Sequence, residues 1–166
     1  MSTTPPTPTS ASSSTPEPEP SSFFSSFRDF VHNPRASISG EFARLGAQRR
    51  WKQGSKTWRK NWDRCMSLEF DRLVGCGGLG DWVDLCLELG VHGGGRLTSI
   101  RQCKMALARV NVNIVDFLDS RATGQIVQKF PSVSALREYT RRTGKLVPRD
   151  VVKQCNLLKV LLKQMT

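Results

Sequence analysis

The chain holds only five cysteines, two histidines and a single tyrosine in 166 residues. Each shortage narrows the chemistry. An odd cysteine count without a Cys-x-x-Cys pair argues for free thiols in a reducing compartment rather than a disulfide framework. Neither His32 nor His92 sits at zinc-like spacing from Cys65, Cys76, Cys86, Cys103 or Cys155, so no metal site is expected. Cys65, Cys103 and Cys155 fall on apolar helical stripes and read as small buried hydrophobes. No run approaches the roughly 18 apolar residues of a membrane span. The first 22 residues lack an apolar h-region and any arginine, and Glu17 and Glu19 are acidic, which argues against a secretory leader or a mitochondrial presequence. The expectation is an intracellular protein, in nucleus or cytoplasm, and not a secreted one.

Catalytic machinery is equally scarce. Gly75-Cys76-Gly77-Gly78-Leu79-Gly80 spells G-x-G-x-x-G, but a dinucleotide site needs a strand before it and an acid about 20 residues on. His92-Gly93-Gly94-Gly95 copies an oxyanion-hole motif without the nucleophile elbow that motif serves. Both read as inter-helix loops. Asp116 and Asp119, at i, i+3, are the best remaining acid–base pair, and the spacing suits a solvated helix face as well. No catalytic residue and no cofactor is expected, and the chain reads as a non-enzyme.

What is present is positive charge. Twenty-five Lys and Arg against 14 Asp and Glu give a formal net charge of +11. Between residues 44 and 64 stand Arg44, Arg49, Arg50, Lys52, Lys56, Arg59, Lys60 and Arg64 against the single acid Asp63, with Trp51, Trp58 and Trp62 between them. Cations interleaved with aromatics suit a phosphate-bearing partner, whose backbone meets the charges and whose bases meet the rings. The same pattern describes an amphipathic helix with tryptophans inside and lysines outside. Trp51 separates the two: an exposed ring is a stacking platform, and burial is the safer expectation. The nominated binding residues are Arg49, Arg50, Lys52, Lys56, Lys60 and Arg64. A secondary basic face is Arg149, Lys153, Lys159 and Lys163 on the last helix.

Residues 1–22 are nearly all Ser, Thr, Pro and Ala, a composition expected to be disordered. Thr4-Pro5, Thr7-Pro8 and Thr15-Pro16 within it are proline-directed phosphorylation sites in form. A Phe-rich segment, 23–37, follows and is expected to dock on the core of a basic helical domain, 38–166. From Gly40 onward the periodicity is helical. A short helix bears Phe42 and Leu45. Ser55 should cap a second that runs to about Leu73, and Asp81 a third that ends near Leu89. Thr98 should cap a fourth, residues 112–121 should form a fifth, and Ser132 should cap a sixth. A last helix should run from Pro148 towards Met165. Glu69 intrudes on the apolar stripe of the second helix, and an acid that curls to solvent is the expected outcome. Residues 123–127 and 143–147 repeat a Thr-Gly-x-apolar-Val pattern, which reads as two left-handed glycine helix endings, with pairing as a short ladder the alternative.

A wider resemblance rests on F-F-x-x-F at 23–27, Asn33-Pro34, E-F-A-R-L at 41–45, W-K-Q-G-S at 51–55 and Glu69-Phe70. It continues through D-W-V-D-L-C at 81–86, V-N-I-V-D-F-L-D at 112–119, Y-T-R-R-T-G-K-L-V-P at 139–148 and L-L-K-V-L-L-K at 157–163. In this order the pieces resemble a group of fungal proteins of unknown function. The resemblance implies one fold from Phe23 onward and brings no activity, cofactor or partner. The glycine-rich 90–95 loop departs from it, where a shorter link with proline is expected.

The fold expected is a single all-α domain of six or seven short helices with at most one two-stranded β ladder. Its core should gather Trp58, Trp62, Trp82, Leu107, Phe117 and Leu158. The function expected is nucleic-acid binding through the Lys/Arg-Trp face. The alternative is an adaptor that recruits an acidic protein under control of its tail.

Overall fold

The computed structural model of the protein describes residues 22–75, 77–91, 97–148, 151–152 and 156–162. The tail to residue 21, Cys76, His92 with its glycines, Arg149, Lys153, Cys155, Lys163, Met165 and the Leu158 side chain lie outside the described residues. Those described form an all-α fold of seven α-helices with one two-stranded antiparallel ladder.

Serine hydroxyls set most helix starts. Ser37 Oγ accepts from the Gly40 amide at the head of α1, Ile38–Gln48. Ser55 Oγ accepts from the Trp58 amide at 3.2 Å and opens α2, Lys56–Val74, where the sequence places it. Each such cap contributes about 1 kcal/mol. Helix α3, Leu79–Glu88, begins earlier than expected. Asp81 is not its N-cap but lies in its first turn, where its carboxylate reaches back to the Gly77 and Gly78 amides at 2.9 and 3.0 Å. Ser99, not Thr98, caps α4, Ile100–Leu107, and Thr98 instead gives both its amide and hydroxyl to Gln102 Oε1. Helix α5, Ile114–Thr123, starts after Asn113, whose side chain accepts from the Val115 and Asp116 amides. Ser132 caps α6, Val133–Thr143, as expected, and α7 spans Asn156–Leu162.

The ladder forms away from the two glycine repeats. Strand β1, Asn111–Val112, pairs with β2, Lys129–Phe130, in the register Asn111↔Phe130 and Val112↔Lys129. Val112 therefore belongs to a strand rather than to α5. Gly124 and Gly144 end α5 and α6 with φ of 72° and 68°, so both repeats are helix stops.

Helices α3 and α4 pack together, α5 lies against α1 and α2, and α7 lies against α4. Trp82, Leu107 and Phe117 are fully buried, as expected, whereas Trp58 and Trp62 are half-buried at the core's edge. The Phe-rich segment is part of that core. Its 3-10 turn, Phe23–Ser26, packs on α2, and Phe23, Phe24 and Phe30 are buried with Phe42 and Phe70. Burial of each ring stabilises by about 1.5–3 kcal/mol, so a fragment starting at residue 38 would lose a wall of the core.

Candidate functional site

The inner side of the basic stretch is an aromatic cluster built around Phe42 of α1. Trp58 and Trp62 meet Phe42 edge-on, with centroids 4.8 and 4.9 Å away. Trp51 is half-buried, 5.9 Å from both Phe42 and Phe27. Gly46 lets the rings approach, because a Cβ there would collide with the Trp58 ring. Trp62 Nε1 also donates to the Leu146 carbonyl at 3.1 Å. The three tryptophans thus use their rings against the protein itself.

The cations divide into two sets, with Arg64 common to both. Arg44 bonds Glu41 at 2.6–2.9 Å and lies 4.2 Å above the Phe30 ring. Arg49 pairs with Asp29 and lies 5.2 Å from the Phe27 ring. Arg64 lies 5.9 Å from the Phe23 ring, with its guanidinium 3.4 Å from Ser26 Oγ. These arginines fasten the Phe-rich segment. Lys52, Lys56 and Lys60 are exposed and form no ion pair with a described residue. Lys56, Lys60 and Arg64 line an open recess of about 470 Å³ together with Thr57 and Asn61. Arg50 is exposed at φ 54°, a left-handed position just past the end of α1. Of the secondary face, Lys159 alone is described, exposed and 3.3 Å from Asn156 Oδ1.

Glu69 overturns the expectation of a solvent-facing acid. Its side chain is fully buried and accepts from Ser22 Oγ at 2.6 Å, the Phe23 amide at 2.7 Å and Arg72 Nε at 2.8 Å. Those donors compensate the charge, and burial holds because the turn that starts at Phe23 needs an acceptor for its free amide. The signal available in sequence was Ser22 directly before two phenylalanines. Glu41 does the same for the Asn33 amide at 2.8 Å. Burial pushes its carboxyl up, but the bonds from Arg44 and Asn33 outweigh that and hold it below the ordinary value. His32 stacks on Phe24 at 4.4 Å, and its burial, opposed by Glu41 and Glu69, holds the imidazole below its ordinary value.

The described thiols are poorly suited to nucleophilic work. Cys65, Cys86 and Cys103 are buried. Burial and the neighbouring Cys103 push Cys86 up to about 12, and burial with the Glu69 and Asp119 charges raises Cys65. Asp116 and Asp119 do not simply solvate a helix face. Asp119 accepts from the Ser39 amide at 3.0 Å and from its hydroxyl, and so ties α5 to the start of α1. Asp116 pairs with Lys145, whose backbone carbonyl accepts from Asn113 Nδ2 at 3.0 Å.

No helix among the described residues is long and apolar enough to cross a membrane. No family model, no curated protein and no solved structure matches the chain.

Proposed function

We propose that the chain is a non-enzymatic, intracellular nucleic-acid-binding protein that holds a phosphate backbone along the outer face of α2. The observation that supports it best is the row Lys56, Lys60 and Arg64, three cations at i, i+4 and i+8 around one recess. Four residues of helix advance about 6 Å, a step that lets successive side chains reach successive phosphates of one strand. Lys52 and Arg50 extend the row beyond the N-terminus of α2, and Arg49 contributes where its pair with Asp29 is exposed enough to exchange. Lys159, with Arg149, Lys153 and Lys163, supplies a second set of contacts.

Recognition would run through phosphates, not bases, because Trp51, Trp58 and Trp62 lie against Phe27 and Phe42. Binding is then indifferent to base sequence and steeply sensitive to salt. The resemblance to fungal proteins of unknown function adds no activity to this reading.

The test is fluorescence anisotropy of labelled single-stranded RNA, single-stranded DNA and duplex DNA against the full chain over a salt series. The triple variant Lys56→Ala, Lys60→Ala, Arg64→Ala should reduce the slope of log affinity against log salt by about 2–3. A slope unchanged in a folded triple variant would sink the proposal. The exposed lysines fit an acidic protein surface equally well on charge alone, so that result would turn the search to an adaptor role with an acidic protein partner.

A further inference from the structure

We propose that the outer face of α3 is a docking surface for a basic amphipathic helix of a partner protein. Leu79, Val83 and Leu87 stand at i, i+4 and i+8 and so share one side of that helix. Leu79 is 41% and Leu87 54% exposed, with Val83 half-buried between them. The face shares no residue with the basic row on α2 and stands or falls independently of it.

Three observations carry this. The first is that α3 is apolar on both sides. Trp82, Leu85 and Cys86 are buried, while Leu79 and Leu87 on the other side stay open to solvent. A helix with apolar residues all round belongs inside a protein, and a surface helix carries polar groups outward. The neighbouring elements follow that rule: α2 shows Lys56, Lys60 and Arg64 to solvent, and α6 shows Glu138, Arg141 and Arg142. The second observation is shape. Gly80 is exposed seven residues before Leu87 on the same side, and a Cβ there would meet no atom within 4 Å. Its backbone is not left-handed, so the fold itself does not require glycine. The missing side chain leaves a notch where a partner backbone can approach. Gly80, Val83, Asp84 and Leu87, at i, i+3, i+4 and i+7, have the spacing with which one helix face meets another.

The third observation is charge, and it names the occupant. No Lys or Arg occurs between Arg72 and Arg96, whereas Asp81, Asp84 and Glu88 do, in a chain of net charge +11. Asp81 is occupied by the Gly77 and Gly78 amides, and Glu88 by Arg121. Asp84 is exposed, lies one turn from both Gly80 and Glu88, and forms no ion pair with a described residue. A Lys or Arg that flanks the apolar stripe of a partner helix would pair with Asp84, whereas a phosphate backbone or an acidic helix would meet like charge. The Debye length is about 8 Å at physiological salt, so these local acids set the field at the face rather than the chain's distant cations. A second copy fits less well. The basic row on α2, with Thr57 and Asn61 beside it, brings no apolar stripe to cover Leu79 and Leu87.

Fluorescence anisotropy on the full chain tests this with two labelled helical peptides of about 18 residues, long enough to hold a helix. One carries Leu on one face and Lys on the other, and its twin carries Glu in place of Lys. The Lys peptide should bind with micromolar affinity, and the Glu twin about tenfold more weakly. Leu87→Ser should weaken the Lys peptide about tenfold, the loss of one buried leucine, and Asp84→Asn about threefold, the loss of one exposed ion pair. Both side chains lie at the surface, so the variants keep the fold, and an unchanged melting temperature checks it. Four results would overturn the proposal: no binding of the Lys peptide, equal binding of its twin, affinity unchanged in both variants, and a parent dimer in sedimentation that Leu87→Ser dissociates. The last would make a second copy the occupant. Leu87→Ser should leave nucleic-acid affinity unaltered, which separates failure here from failure of the basic face.

Discussion

The arginines that lie on phenylalanine rings and the lysines of α2 come from one stretch of sequence yet do different work. Arg44, Arg49 and Arg64 rest over Phe30, Phe27 and Phe23. Lys52, Lys56 and Lys60 stay in water. A guanidinium is planar, delocalised and weakly hydrated, so it stacks on a ring at little cost, whereas an ammonium is a compact, strongly hydrated charge. The difference teaches that net charge overstates a binding surface. Part of the basic stretch secures the chain's own N-terminal segment, Lys52, Lys56 and Lys60 stay exposed, and Arg64 stands on both sides of the division.

Glu69, which anchors the secured side, gives the sharpest way to break this comparison. Glu69→Ala removes the acceptor for Ser22, Phe23 and Arg72 and should cost about 3–5 kcal/mol, seen as a large fall in the urea midpoint. Lys60→Ala should leave that midpoint within about 0.5 kcal/mol of the parent. Equal effects from the two would refute the division into fastening and free charges.

Arg50 sharpens the free side. Its left-handed backbone costs an L residue energy that glycine avoids, so Arg50→Gly should gain up to about 1 kcal/mol in thermal or urea melts. The same variant should weaken polyanion binding, because it deletes one cation. A variant that is less stable yet binds unchanged would place Arg50 among the fastening residues.

The smallest effect concerns pH. His32 stacks on Phe24 with its folded pKa below the ordinary 6.5. The unfolded chain therefore takes up the proton first as pH falls. The contribution to stability is complete above that value and is lost as pH drops through it. The parent should lose urea resistance between about pH 7.5 and about pH 5.5 by more than His32→Gln does. Parallel losses in the two would show that other groups carry the slope.

Local signals were legible wherever a side chain acts on its own backbone. Ser55 and Ser132 cap the helices they precede, and Gly124 and Gly144 stop the helices they follow. Nearby competition misled at Thr98 and Asp81, where the neighbours Ser99 and Gly78 hold the cap positions. The stripe of α2 was readable as well, but not how deep its tryptophans would sit. Trp58 and Trp62 stop at the edge because Phe42 of α1 fills the space beneath them. The pairing of residues 111–112 with 129–130 carried no sequence signal, since two residues are too few for an alternation to be seen.

The candidate sites divide in the same way. The ladder Lys56, Lys60 and Arg64 follows from helical periodicity alone, because 3.6 residues per turn places i, i+4 and i+8 on one side. The sequence by itself therefore determined the helical class, most of the helix ends and the row of cations. Tertiary structure decided which charges are occupied, since that depends on what lies opposite. Glu69 meets Ser22 and Phe23 across 47 and 46 residues, Asp119 meets Ser39 across 80, and Asp116 meets Lys145 across 29. No local rule reaches so far, and a buried charge takes its meaning from its partner.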